Sequence, residues 1–126
     1  MILINDVADY LEDIGIGTVA TNIFCGYLPE SPDTSISVLD TGGTTPDPYI
    51  PTKEPTFQVF IRDVDYALGK AKLDSVRLNL HRKANTSLIA GQTYFYFILA
   101  ISEGGHVGRD AQGRDLFSIN FQCRTR

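Results

Sequence analysis

Residues 56–83 read TFQVFIRDVDYALGKAKLDSVRLNLHRK. In Thr56–Arg62, Phe57, Val59 and Ile61 alternate with Gln58, Phe60 and Arg62, the period of a strand. After Asp63 the period lengthens. Val64, Ala67, Leu68, Ala71, Ser75 and Leu78 form a helical stripe, widened by Leu73, Val76 and Leu80. Asp63 is expected to cap this helix, which runs to about Lys83, and small Ala67 and Ala71 let it lie close upon a sheet. Lys70, Lys72, Arg77, Arg82 and Lys83 remain for its outer face, the last two suited to the negative helix end. A strand handing over directly to a long helix sets a layered α+β architecture.

Downstream, Gln92–Ser102 contains TYFYFILAI, whose aromatic and β-branched content favours a strand. Strict alternation puts Tyr94, Tyr96, Ile98 and Ala100 on one face and Phe95, Phe97, Leu99 and Ile101 on the other. The long helix covers one of these apolar faces. The N-terminal helix is expected to supply part of the cover for the other, and a partner subunit is the natural candidate for the rest, since monomers rarely expose large apolar patches. Leu116–Arg124 alternates cleanly, with Phe117, Ile119, Phe121 and Cys123 pointing in. Between these strands, residues 103–115 (EGGHVGRDAQGRD) hold four glycines and read as a hairpin tip, and Ala84–Gly91 reads as a turn.

Upstream, Asn5–Ile14 is expected to form a short helix capped by Asn5 or Asp6 and burying Val7, Ala8, Tyr10, Leu11 and Ile14. Apolar bursts at Ile23–Leu28 and Ser35–Leu39 read as extended segments. Residues 40–55 (DTGGTTPDPYIPTKEP) contain four of the six prolines, which excludes helix and central strand and marks a long loop or an arm lying on a neighbouring subunit. The expectation is one domain over residues 1–126: an antiparallel or mixed sheet of four to five strands, packed by one long and one short helix.

Composition narrows the function. The 126 residues carry a net charge of −4, distributed unevenly. Residues 1–52 hold eight acids and no Lys or Arg, whereas residues 53–126 hold seven acids and all eleven bases, giving −8 and +4. This balance argues against a dedicated nucleic-acid binder and suits head-to-tail contact between copies, in which two different patches meet. No run approaches the ~20 apolar residues of a membrane span, and Met-Ile-Leu-Ile-Asn-Asp lacks the basic flank of a signal peptide. Cys25 and Cys123 lack metal or redox spacing, so free thiols in a reducing cytosol are expected. No nucleophile elbow, P-loop or dinucleotide fingerprint occurs. An EF-hand starting at Asp63 fails at Ala67 and Leu68, and its last position is Asp74 where a glutamate belongs. His81, near a helix end, and His106, in a glycine-rich loop, have no supporting cluster. Arg109 and Arg114 oppose cation binding by Asp110 and Asp115, so an Arg–Asp network at an interface is the expected use. The residues therefore show no catalytic, cofactor or metal site.

Several features taken together resemble a known family. They are the helix opening an acidic N-terminal half, the strand ending Phe60-Ile61-Arg62-Asp63, and Asp65-Tyr66-Ala67 entering the long helix. The hairpin adds Gly108-Arg109-Asp110, then Gly113-Arg114, followed by Phe117-Ser118-Ile119-Asn120-Phe121. Across residues 1–124 this pattern resembles the minor capsid, or tail terminator, proteins of long-tailed phages. The resemblance implies a structural virion protein, assembled in the host cytoplasm, that forms a ring, usually of six copies. Such a ring caps the tail tube, stops its polymerisation and offers a surface to the head connector or stopper, while DNA passes through without specific binding. On that reading Arg109, Asp110, Arg114, Tyr49 and Arg62 are candidate subunit or tube contacts. Asp6, Asp9, Glu12 and Asp13 are candidate pore-lining acids that repel DNA phosphates. The alternatives are a head-completion or stopper neck protein, or a ligand-binding domain using Tyr94–Ile101 as a pocket wall.

Overall fold

The computed structural model describes residues 3–30, 32–43, 49, 53–88 and 93–125. Two helices, α1 (Leu3–Asp13) and α2 (Tyr66–Leu80), accompany seven strands among the described residues: β1 (Ile23–Cys25), β2 (Ser35–Gly43), β3 (Pro55–Asp63), β4 (Lys83–Ser87), β5 (Tyr94–Ala100), β6 (Gly105–Arg109) and β7 (Asp115–Thr125). They form one mixed sheet in the order β1-β2-β3-β7-β5-β4. β6 pairs with the first half of β7 and β5 with the second half. Only the β1–β2 pair is parallel. The α+β class is as expected, but the sheet exceeds four to five strands.

The two unexpected strands have weak sequence signals. β4 (KANTS) lacks alternation and contains Asn85 at φ 51°, and β6 (GHVGR) is glycine-rich; each is held by the hydrogen bonds of a stronger neighbour. β4 occupies the first half of the expected turn. β6 shortens the 103–115 tip to a turn closed by Asp110 N–H donating to Arg114 O at 3.0 Å. The proline-rich segment is shorter too, because residues 40–43 extend β2 and Pro55 opens β3. Lys53 forms a two-way backbone bridge with Thr125, each bond 2.8 Å. Residues 44–48 and 50–52, the centre of the expected arm, lie outside the described residues.

Helix boundaries shift for local reasons. α2 is capped by Asp65, whose carboxylate accepts from the Ala67 N–H at 2.9 Å. Asp63 instead closes β3, accepting from Asp65 N–H and Lys72 Nζ, both at 3.0 Å. At the other end the chain leaves the helix at His81, and Arg82 adopts φ 70° and donates its N–H to Ile98 O. That bond starts β4 and ends the helix short of Lys83. α1 begins two residues before Asn5, so Asp6 lies within its first turn rather than at its cap.

Both helices contribute to one core with the sheet. Val7, Ala8, Tyr10 and Leu11 of α1 face β1 and β2, while Leu73, Val76 and Leu80 of α2 face β3, β5 and β7. Phe57 and Phe121 stack at 5.1 Å beneath them. The buried stripe of α2 is thus Gly69-Leu73-Val76-Leu80, and the expected main stripe faces outward: Val64, Leu68 and Leu78 are exposed. Gly69, not Ala67 or Ala71, permits the close approach. A Cβ at Gly69 would overlap the Phe117 ring and stand 3.2 Å from Asp63 Cβ. Gly69→Ala is accordingly expected to destabilise the protein by about 1–3 kcal/mol in urea unfolding, overpacking outweighing the better helix propensity of alanine. Ala67→Gly, on the exposed side, should cost only about 1 kcal/mol.

β5 does not alternate strictly. A bulge between Phe95 and Phe97 turns both Phe95 and Ile98 into the core, while Leu99 is exposed. The second sheet face is covered in part by the chain itself. The segment from Gly26 to Thr34 is fastened there by Ser37 Oγ donating to Tyr27 O at 2.6 Å and by Arg62 Nη2 donating to Pro32 O at 2.6 Å.

Candidate assembly surfaces

The two buried arginines explain that fastening. Arg62 and Arg114 project from the ends of neighbouring strands, and both are under 6% exposed. Arg62 Nε also donates to Asp33 O at 3.3 Å, and its Nη2 to Ser35 Oγ at 3.1 Å. Arg114 Nη1 donates to Glu30 O and reaches Asp33 Oδ1 at 3.3 Å, while its Nε donates to Asp110 Oδ2 at 2.6 Å. Burial, reinforced by the Arg114 charge, lowers the Arg62 pKa from its ordinary value. Asp110 is held below the usual carboxylate range, first by the Arg114 backbone N–H and then by the Arg114 side chain and Gln112 N–H. The cluster clamps the 26–34 segment to the β6–β7 hairpin, residues about 80 apart in sequence.

A second cluster sits at the opposite face of the same hairpin. Asp115 is 2% exposed, and its Oδ1 accepts from Arg109 Nε and His106 Nε2, each at 3.0 Å. Those two hydrogen bonds, Arg109 first, lower its pKa. The His106 ring lies edge-on to Tyr66 and Phe117, both 5.2 Å away between centroids. His106 thus acquires a supporting cluster that its loop sequence did not signal. His81 is tied inward as well, its Nδ1 accepting the Ala100 N–H at 2.9 Å.

Because the Asp110 and Asp115 carboxylates bind protons less readily when folded, their contribution to stability is complete above the ordinary Asp range. It disappears as pH falls through their lowered values. Thermal melts from pH 7 downward should therefore show a loss that begins below about pH 4. Asp115→Asn should flatten that acid limb.

The candidate contact residues separate accordingly. Arg62 and Arg114 are committed to internal contacts, Asp110 is half-covered by Arg114, and Arg109 and Tyr49 stay largely exposed. Among the N-terminal acids, Asp6 is buried at 2% exposure, accepting from Thr93 N–H at 3.3 Å and from Thr93 Oγ1. Its carboxylate is thus engaged within the chain. Asp9, Glu12 and Asp13 are exposed, with Glu12 also accepting the Val19 N–H. Cys123 is buried, its thiol pushed up to about 12 by burial, and Cys25 is raised by burial and by Asp9. Sequence reasoning missed Glu30, Asp33, Gly69 and the apolar cleft lined by Val19, Ile23, Phe24 and Tyr27. Their partners are distant in sequence, so no local pattern marks them.

Buried ionic fasteners within one chain, and apolar side chains left exposed on α2 and β5, characterise this α+β fold. The fold matches that of a chain in the virion of a native gene transfer agent particle, with a TM-score of 0.65 and 15% identity, covering 98% of this chain and 93% of that one. No curated protein sequence is a match. Residues 10–126 match the bacteriophage tail terminator proteins, and the chain belongs to that family. It is a structural protein of the phage tail, as the sequence resemblance implied.

Proposed function

We propose that this protein closes into a ring, of six copies, on the head-proximal end of the tail tube. There it stops tube polymerisation and presents its other face to the connector or stopper of the head. The observation that carries this reading is apolar surface left open in a virion structural protein: Leu68 and Leu78 on α2, and Leu99 and Ile101 at the end of β5, are 42–80% exposed. The work is geometric. A ring occupies the growing end of the tube and leaves a channel through which DNA passes. Of the exposed N-terminal acids, Glu12 and Asp13 supply negative charge for that channel, and like-charge repulsion keeps phosphates moving. Arg109 and Tyr49 are the exposed members of the candidate subunit and tube contacts. Arg62 and Arg114 act indirectly, by holding the 26–34 segment in place.

The test is electron microscopy of tails assembled without this protein. Overlong, headless tubes support termination. Tubes of normal length that fail to join heads, in tails lacking it, would instead indicate a neck protein acting on the connector. Reversing Glu12 and Asp13 to Lys should slow DNA ejection, measured as the rate of DNA release from triggered particles.

A further inference from the structure

Two surfaces of this chain complement each other in polarity and sign. The first is convex. On the outer side of α2, Leu68, Ala71, Ser75 and Leu78 recur at spacings of three, four and three, the seam of a helix built to meet another surface, and Val64 lies just before the helix begins. Val64, Leu68 and Leu78 are 57%, 58% and 80% exposed. Lys70 and Arg77 flank this ridge and share one carboxylate, Asp74, at 3.7 and 3.8 Å, which leaves the ridge positive.

The second surface is concave. Beside α1 and β1 lies an open cleft of about 350 Å³, lined by Val19, Ala20, Phe24, Cys25 and Tyr27 over the buried Ile23, with Asn5 and Asp9 contributed by α1. Asp9 is exposed, and no ion pair among the described residues engages it. A small-molecule site needs several convergent polar groups, and this cleft offers few. It offers instead a mainly apolar floor flanked by Asn5 and the Asp9 carboxylate, the counterpart of an apolar ridge with cations alongside.

The two surfaces belong to different elements. α2 is fixed over β3, β5 and β7, while the cleft lies at the β1 edge of the sheet, so one copy does not fill its own cleft with its own ridge. Pairing ridge with ridge would set positive flanks against each other and leave the cleft uncovered. We propose that the α2 ridge of one copy seats in the α1–β1 cleft of the next, Leu78 packing onto the exposed side of Tyr27, whose ring is tilted against Phe24 at 5.5 Å, while Lys70 and Arg77 face Asp9. Such a contact is head-to-tail, the kind that closes a ring. It rests on the ring reading above, and it assigns Asp9 to the neighbouring copy, leaving Glu12 and Asp13 for the channel.

The test uses the full chain with assembled tail tubes. Leu78→Asp, exposed and so expected to melt like the parent, should weaken ring formation roughly thirtyfold, the scale of a central interface residue. Asp9→Arg should weaken it too, and adding Lys70→Glu and Arg77→Glu should restore it. Leu78→Cys, joined to native Cys25 in the cleft by a short bifunctional thiol reagent, should give a ladder of covalent oligomers that is lost with Cys25→Ser. Rings that form normally in Leu78→Asp, or thiol coupling that stops at dimers and survives Cys25→Ser, would overturn the ridge-in-cleft contact while leaving the ring intact. A parent protein that neither self-associates on tubes nor limits their length would overturn the ring reading itself.

Discussion

Phe117→Ala should lower the unfolding free energy by about 3–5 kcal/mol, with a fall in Tm of roughly 10–20 °C. Phe117 is fully buried and lies where three elements meet. It opposes His106 across the β6–β7 ladder, its ring contacts Tyr66 at the start of α2 at 5.4 Å, and it fills the space left by Gly69. Truncation therefore opens a cavity that α2 cannot close by itself, because Asp65 capping and the Asp63–Lys72 pair fix its first turns. The damage should be local as well as global. Amide exchange in β6 should accelerate more than in β2, since β6 has only β7 as its ladder partner. The decisive comparison is the double variant. With the Phe117 ring absent, only the 3.2 Å approach to Asp63 Cβ remains, so most of the cost of Gly69→Ala seen in the parent should disappear. Additive costs would show that Gly69 is small for some other reason.

That pair also shows what the sequence conveys and what it withholds. The strands around Phe57 and Phe117 are plain, because one face is buried along their whole length and alternation records it. α2 is plain as a helix but ambiguous as to its face. Two apolar stripes run along it at helical spacing, and the one with more large side chains at its ends, Leu68 and Leu78, is the one left outside. Composition does not rank a glycine as a contact residue, yet Gly69 is what lets the helix settle on Phe117. The β5 bulge is hidden for a related reason: where both faces are apolar, a slip in alternation leaves no trace. Asp63 and Asp65, two residues apart, are equally good caps on paper, and Lys72, about two turns further along, decides between them. The hairpin arginines were legible as members of an Arg–Asp network. That this network closes within the chain depends on Glu30 and Asp33, which arrive from another part of the fold.

Arg114→Ala is expected to cost about 3 kcal/mol, the scale of hydrogen bonds lost from a buried charged group. The side chain is 6% exposed and joins three parties: the Glu30 carbonyl, the Asp33 carboxylate and Asp110. Asp33 is 68% exposed and returns to water, so the loss falls on the bonds to the Glu30 carbonyl and to the partly covered Asp110, and on the packing of the buried side chain itself. Arg114→Lys should recover part of the loss at most, since one ammonium cannot reproduce the guanidinium fork that reaches Glu30 and Asp110 together. Arg62 gives the clamp a second hold on the same segment through Pro32 and Asp33, so Arg114→Ala should loosen residues 26–34 without releasing them, and adding Arg62→Ala should release them. The functional consequence follows from Tyr27, which begins this segment and lines the α1–β1 cleft. Tube capping by Arg114→Ala should therefore weaken even at temperatures where circular dichroism shows the sheet intact. A variant that loses stability yet caps tubes at the parental concentration would mean that the clamp serves the fold alone and that Tyr27 has no part in the contact between copies.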